Sequence, residues 1–364
     1  MLSRISSIAL ALVLLVCATA FATAQTPDPN TVIPLEGLDP VMLSQGKEVQ
    51  GDMKFQVTRG QFRYIFATAE NKAEFEKDPS RYEIQLNGSC ARMGAPTSGN
   101  PDLYAVHKGR IYIFGSEECQ TVFKAAPEKY LDVPVEPKAP PDPAMVKRGG
   151  ELIAKAVEAL GGAAKLDQLV SYQRKEVRGN DVKNTLLLSF PGSMRLESVR
   201  PNFTLTSVVG PAESFIVVNN TAPRTMSEAN RAAIEKELQH EPIVLLRARS
   251  RSDFKAAALK EGDHAVEVVE LELAGFNTKL GIDPATGRVL SQTYRGRGPG
   301  AVIGEIAINY SDFRAVEGPV KELALPFKVT ATFDGQPFPA LSATIEAIGV
   351  NAQIDPASFK KPAK

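Results

Sequence analysis

Residues 64–82 and 112–130 repeat one pattern without a gap: Tyr64, Phe66, Phe75, Pro79 and Tyr82 fall opposite Tyr112, Phe114, Phe123, Pro127 and Tyr130. Each copy reads as a short alternating strand, a helix opened by a capping hydroxyl, a proline at its end and a closing aromatic. Strand residues two apart share a face, so this aromatic set is expected to form the core of the repeat rather than a ligand surface. In the first copy, runs at 55–57 and 62–66 flank Arg59-Gly60-Gln61, a hairpin signal. Thr68 then caps a helix to Lys77, with Glu70 placed well for its dipole. In the second copy, 103–106 and 111–114 flank Lys108-Gly109, and Ser116 caps a helix over 117–125. Upstream, Leu86-Asn-Gly-Ser-Cys-Ala-Arg-Met93 stands where Leu35-Glu-Gly-Leu-Asp-Pro-Val41 stands in the first copy. Copies of about fifty residues are short for a core of their own. They are therefore expected to pack as one domain over 35–131, from repeats 35–82 and 86–131. They differ at the start of the helix, where Cys119 replaces Asn71.

The 364 residues leave room for more than this repeat. Arg4, the apolar run 8–16 and Ala22-Thr23-Ala24 have the layout of a signal peptide over 1–24. An exported protein, periplasmic or secreted, is expected. Cys17 offers the alternative of a lipoprotein anchor, although Val16 suits that chemistry poorly. No later run reaches the roughly 18 apolar residues of a membrane span. Lys+Arg and Asp+Glu both number 42, so no overall field draws the chain to nucleic acid.

Residues 132–143 form a linker, with five prolines between 133 and 143, a composition that favours an extended spacer. A helix is predicted over 144–160, with Ile153, Val157 and Leu160 on one face and Gly161-Gly162 at its end. Period two then takes over. Strands are expected at 171–177, 184–190, 193–199, 204–209, 214–218, 253–259, 265–273, 277–282, 288–294, 304–313, 328–333 and 340–350. A helix at 227–239 and an apolar segment at 243–246 interrupt them. The fold class is α+β: two strand-hairpin/helix repeats, then a mainly antiparallel half-barrel with covering helices over 144–362.

Chemistry-bearing residues are few. Export would leave Cys90 and Cys119 in an oxidising compartment, where an even count favours a disulfide. Unpaired structural thiols and a soft-metal site, Cu(I) between two sulfurs, are the alternatives. Met93 and His107 are the nearest further ligands in sequence. The three histidines, His107, His240 and His264, show no metal-ligand spacing, and no Gly-x-Ser-x-Gly elbow is present. Gly296-Arg-Gly-Pro-Gly300 reads as a flexible hairpin loop, and Arg247, Arg249 and Arg251 as a solvated basic face, with a docking patch for anionic lipid as the alternative.

The Tyr-x-Phe strand, the Ser/Thr-capped helix with its Phe, and Pro-x-x-Tyr at 79–82 and 127–130 resemble the YHS domain in two copies. That family is related to cysteine-bearing TRASH-type metal-binding modules. The resemblance places Cys119 at the helix-start cysteine and Cys90 at an early one. Gly115 stands at the loop position, and the first copy has neither thiol. The stretch 145–362 is similar to outer-membrane lipoprotein-carrier (LolA-like) domains. Its helix ends in Ala-Leu-Gly-Gly, and the turn Ile-Asp-Pro-Ala-Thr-Gly, the run Tyr310-Ser-Asp-Phe-Arg314 and a closing Val350-Asn-x-x-Ile-Asp-Pro-x-x-Phe359 follow. Such a domain implies an unclosed barrel with a cavity for acyl chains. The expected function is non-enzymatic binding of a hydrophobic, lipid-like ligand, with the YHS-like pair as a protein-recognition element. The alternative is metal or thiol redox chemistry at Cys90 and Cys119.

Overall fold

The protein, a computed structural model, is described over residues 31–95, 97–132, 140–260, 266–316 and 323–362. The stretch 1–24 expected to be a leader, with Cys17, and His264 and most of the proline-rich linker lie outside these residues. No helix among the described residues is long and apolar enough to cross a membrane.

The two N-terminal units share one plan. The first contains α1 (Pro40–Ser44), β1 (Asp52–Arg59), β2 (Phe62–Phe66), α2 (Ala69–Lys77) and α3 (Pro79–Tyr82); the second contains β3 (Asn100–His107), β4 (Arg110–Phe114) and α4 (Glu117–Ala125). Both hairpins are antiparallel and carry the same irregularity, between Asp52 and Gln56 and between Asn100 and Tyr104. The Thr68 hydroxyl accepts the Asn71 N–H at 3.2 Å, and Ser116 accepts the Cys119 N–H at the same distance. Each cap satisfies a first-turn donor that the helix itself leaves unpaired. Every aromatic of the repeat is 7% exposed or less, as its alternation requires. Neither unit completes its core alone. Ile111 and Ile113 of β4 join the core of the first unit, Ile84 bridges Ile111, and the Ile84 N–H donates to the Tyr64 hydroxyl at 2.9 Å.

The remainder opens with α5 (Pro143–Leu160) and α6 (Ala163–Asp167). On α5, Gly149, Leu152, Ile153, Ala156, Val157 and Leu160 are buried, a stripe of period 3.6. Asp142 caps its start, and Pro143 occupies the first helical position, where a missing N–H costs nothing. Strands β5 (Ser171–Arg178), β6 (Val182–Ser189), β7 (Ser193–Arg200), β8 (Phe203–Val209), β9 (Ser214–Val218) and β10 (Arg224–Thr225) follow, then α7 (Glu228–Leu238) and α8 (Pro242–Arg247). The chain returns as β11 (Lys255–Ala258), β12 (Glu267–Leu273), β13 (Phe276–Ile282), β14 (Val289–Arg297), β15 (Ile303–Val316), β16 (Leu323–Phe333), β17 (Gln336–Pro337) and β18 (Ala343–Val350).

These strands form one antiparallel 14-stranded sheet in the order β10-β9-β8-β7-β6-β5-β18-β16-β15-β14-β13-β12-β11, with β17 beside β16. The sheet is not closed. Its two edge strands, β10 and β11, are joined in sequence by α7 and α8. One contiguous core joins α5, α6 and α8 to alternate residues of the strands, among them Leu186, Leu188, Val269, Leu271, Leu280 and Ile306. The apolar segment expected at 243–246 is the inner turn of α8, with Ile243, Leu245 and Leu246 buried.

The glycine-rich run at 296–300 is more than a hairpin loop. Arg297 reaches from it to the N-terminal units, donating to Arg92 O at 2.9 Å and Tyr130 O at 3.1 Å. A Cβ at Gly94 would overlap the Arg297 guanidinium, so the close approach requires glycine there. Val302 packs on the core of the second unit, and Arg295 faces Asp132 at 3.4 Å.

Candidate functional site

A cavity of about 920 Å³ opens between α7, α8 and the turns that join β6 to β7 and β12 to β13. Its walls include Leu188, Phe190, Met194, Val209, Val244 and Phe276, with Lys236, Gln239, Arg247, Arg251 and the carboxylate of Glu235, which pairs with Arg231, among the polar members. The volume lies within the roughly 300–1,000 Å³ of small-molecule sites. Arg247 is not part of a solvated face. Its guanidinium lies 4.4 Å above the Phe190 ring and donates to Leu169 O at 3.3 Å. Its Nε has no hydrogen-bond partner, and among the described residues no carboxylate pairs with it. Arg249 and Arg251 differ: each meets an aspartate at 2.7 Å, Asp167 and Asp253 respectively. The cavity thus offers an apolar wall with two cations, Arg247 and Lys236, that form no ion pair among the described residues.

Behind the cavity, the covered face of the sheet is filled and partly polar. Arg174 pairs with both carboxylate oxygens of Glu241, at 2.5 and 2.8 Å, and lies 2.9 Å from Glu176. Burial alone would lower the Arg174 pKa, but Glu241, Tyr172 and Glu176 outweigh it and raise it well above the ordinary value. Burial pushes Tyr172 up to about 12 and raises Tyr294 and Tyr310. The Tyr310 hydroxyl donates to Gln292 Oε1 at 2.8 Å. His240, without ligand partners, stacks on Tyr294 at 3.7 Å and meets Glu237 at 3.0 Å. The side chains of Asn184, Gln239, His240 and Gln292 each keep one buried polar atom without a partner among the described residues. Such atoms are places for water or a ligand's polar group.

The two cysteines meet in the second N-terminal unit. Both are buried free thiols in one cluster, with no S–S bond between them, and Cys119 lies within hydrogen-bonding reach of Cys90. The first unit explains the placement. There the equivalents of Cys90 and Cys119 are Asp39 and Asn71, whose side chains hydrogen-bond at 2.7 Å. The backbone holds both pairs alike: the Asp39 N–H donates to Val49 O and the Cys90 N–H to Thr97 O, each at 2.8 Å. Arg92 Nη1 lies 3.8 Å from Cys119 Sγ and 3.3 Å from Met93 Sδ. Burial raises the Cys119 pKa, but hydrogen bonds with Ser116, Arg92 and Cys90 outweigh it and hold the thiol below its ordinary value. Burial lowers the Arg297 pKa.

As a donor set, the pair offers two sulfurs. Among the described residues no group of three or more His, Cys, Asp or Glu side chains is placed to hold a metal ion. A four-ligand structural zinc site is therefore not assembled there, and two sulfurs suit only a soft ion such as Cu(I). His107 is turned to Glu128 at 3.0 Å and to the edge of Phe123. Sequence reasoning set both cysteines in the second repeat and Arg247 on a basic face, but missed Arg92 and Arg297, whose partners lie far away in the chain. No protein-family model matches the chain, and no curated protein matches it.

Proposed function

We propose that the protein is an exported, non-enzymatic carrier of an amphiphilic, lipid-like ligand. The apolar tail occupies the cavity under α7 and an anionic head meets Arg247. The observation that carries this is the 920 Å³ cavity itself, with a half-buried guanidinium that forms no ion pair among the described residues. A partly desolvated cation with no direct ion-pair partner is favourably placed for a ligand carboxylate or phosphate, which it would hold through charge-assisted hydrogen bonds. The similarity of 145–362 to lipoprotein-carrier domains supports the same reading. The N-terminal units, clasped to the sheet by Arg297, serve as the element that a protein partner recognises.

Displacement of a fluorescent fatty acid, with mass spectrometry of lipid extracted from the purified protein, tests this. Ala248→Trp fills the cavity and abolishes probe binding in a protein that still melts cooperatively. Arg247→Met keeps the bulk but loses the charge. It weakens anionic probes by about tenfold to a hundredfold, since hydrogen bonds to charged groups contribute about 1.5–3 kcal/mol, and leaves a neutral acyl alcohol unaffected. A folded protein that carries no lipid, or binds the probe equally well as Ala248→Trp, would sink the proposal.

A further inference from the structure

Lipid carriage makes no use of Cys90 and Cys119, which lie in the other half of the molecule. They occupy positions that face each other in both N-terminal units, with a hydrogen bond in the first unit and two thiols in the second. Cys119 is 8% exposed and Cys90 fully buried, so an incoming reagent meets Cys119 first. The Arg92 guanidinium beside Cys119 stabilises the anion through which sulfur attacks.

We propose that Cys90 and Cys119 form a reversible dithiol–disulfide site that exchanges with an external disulfide, and that its closure loosens the Arg297 clasp. The Cys119 thiolate attacks one sulfur of the reagent, forming a mixed disulfide and expelling one thiolate. Cys90, giving up its proton to that leaving group, attacks the Cys119 sulfur and expels the second thiolate. Two protein thiols are oxidised and one disulfide is reduced to two thiols.

The coupling follows from the backbone around Cys90. A bond of about 2.05 Å must replace a non-bonded sulfur contact, so the two sides approach by on the order of 1 Å. Cys90 cannot move alone, because its carbonyl accepts the Gly94 N–H at 2.7 Å and its own N–H donates to Thr97 O at 2.8 Å. The turn from Cys90 to Gly94 therefore shifts as a unit. That turn carries Arg92 O, which holds Arg297 at 2.9 Å, and Gly94, which packs against the same guanidinium.

The test treats the full chain carrying Cys17→Ala, so that Cys90 and Cys119 are its two thiols, with oxidised glutathione, then reads intact mass, native maleimide labelling and hydrogen exchange. In this parent both thiols become unlabelled together and the chain loses two hydrogens. Cys90→Ser stops at one glutathione adduct on Cys119. Exchange rises at 92–94 and 297–302 in the oxidised parent and not in Cys90→Ser. Thiols that stay reduced in the native protein yet pair or label freely once it is unfolded would overturn the site. Protection that a chelator reverses, without loss of hydrogen, would assign the pair to a soft metal instead. A disulfide that forms without changing exchange at the clasp would overturn the coupling.

Discussion

Arg174 lies between two carboxylates, Glu241 at the N-cap of α8 and Glu176 on its own strand, and its side chain is only 12% exposed. Buried pairs contribute little net stability, yet breaking one strands the remaining charge. Arg174→Met is therefore expected to lower the unfolding free energy by about 3–5 kcal/mol, read as a shift in the urea midpoint. The same cluster gives an acid dependence. Burial would raise the Glu176 carboxyl, but Arg174 and Arg178 outweigh it and hold it below the usual glutamate range. Its folded pKa is thus depressed, so its contribution is complete above the unfolded value and is lost as pH falls through the folded one. Urea midpoints measured on acidification below the glutamate range should fall more steeply in the wild type than in Glu176→Gln. Equal slopes would contradict the assignment.

At the scale of an element, α5 shows how position overrides propensity. Gly149 and Gly150 are neighbours in one helix, and each would gain up to about 1 kcal/mol as alanine from propensity alone. Gly150 is exposed, with no atom within 4 Å of an added Cβ. Gly149 lies against β11, where a Cβ would come within 2.8 Å of the Ala257 backbone. Backbone cannot yield as a flexible side chain can, and overpacking costs about 1–3 kcal/mol. Gly150→Ala should raise the melting temperature and Gly149→Ala should lower it; shifts of the same sign would refute this packing of α5. The stripe through Ile153, Val157 and Leu160 was legible in the sequence because its period is local. That Gly149 belongs to it was not, because only the facing strand distinguishes the two glycines.

For the whole molecule, the joint between the N-terminal units and the sheet rests on Arg297. Its hydrogen bonds to Arg92 and Tyr130 span 205 and 167 residues of sequence. Arg297→Ala is expected to increase the radius of gyration by small-angle scattering, because three backbone carbonyls, including Ala301 O, lose their donor at once. Arg295→Ala, which removes only an exposed pair with Asp132, should leave it unchanged. A compact Arg297→Ala protein would mean that apolar contacts such as Val302 hold the joint unaided.

The sequence by itself determined the repeated hairpin and helix, the buried aromatics, the α5 stripe and most strands after residue 170. Each depends on spacing, capping or turn chemistry within a few residues. Tertiary structure alone decided that β18 inserts between β5 and β16 and that α7 and α8 bridge the edges of an unclosed sheet. It also decided which cations find anions: Arg174 meets Glu241 across 67 residues, while Arg247 faces a cavity. Local periodicity specifies the faces of an element. The pairing of distant faces depends on how a whole core closes, and both candidate sites lie where such faces meet.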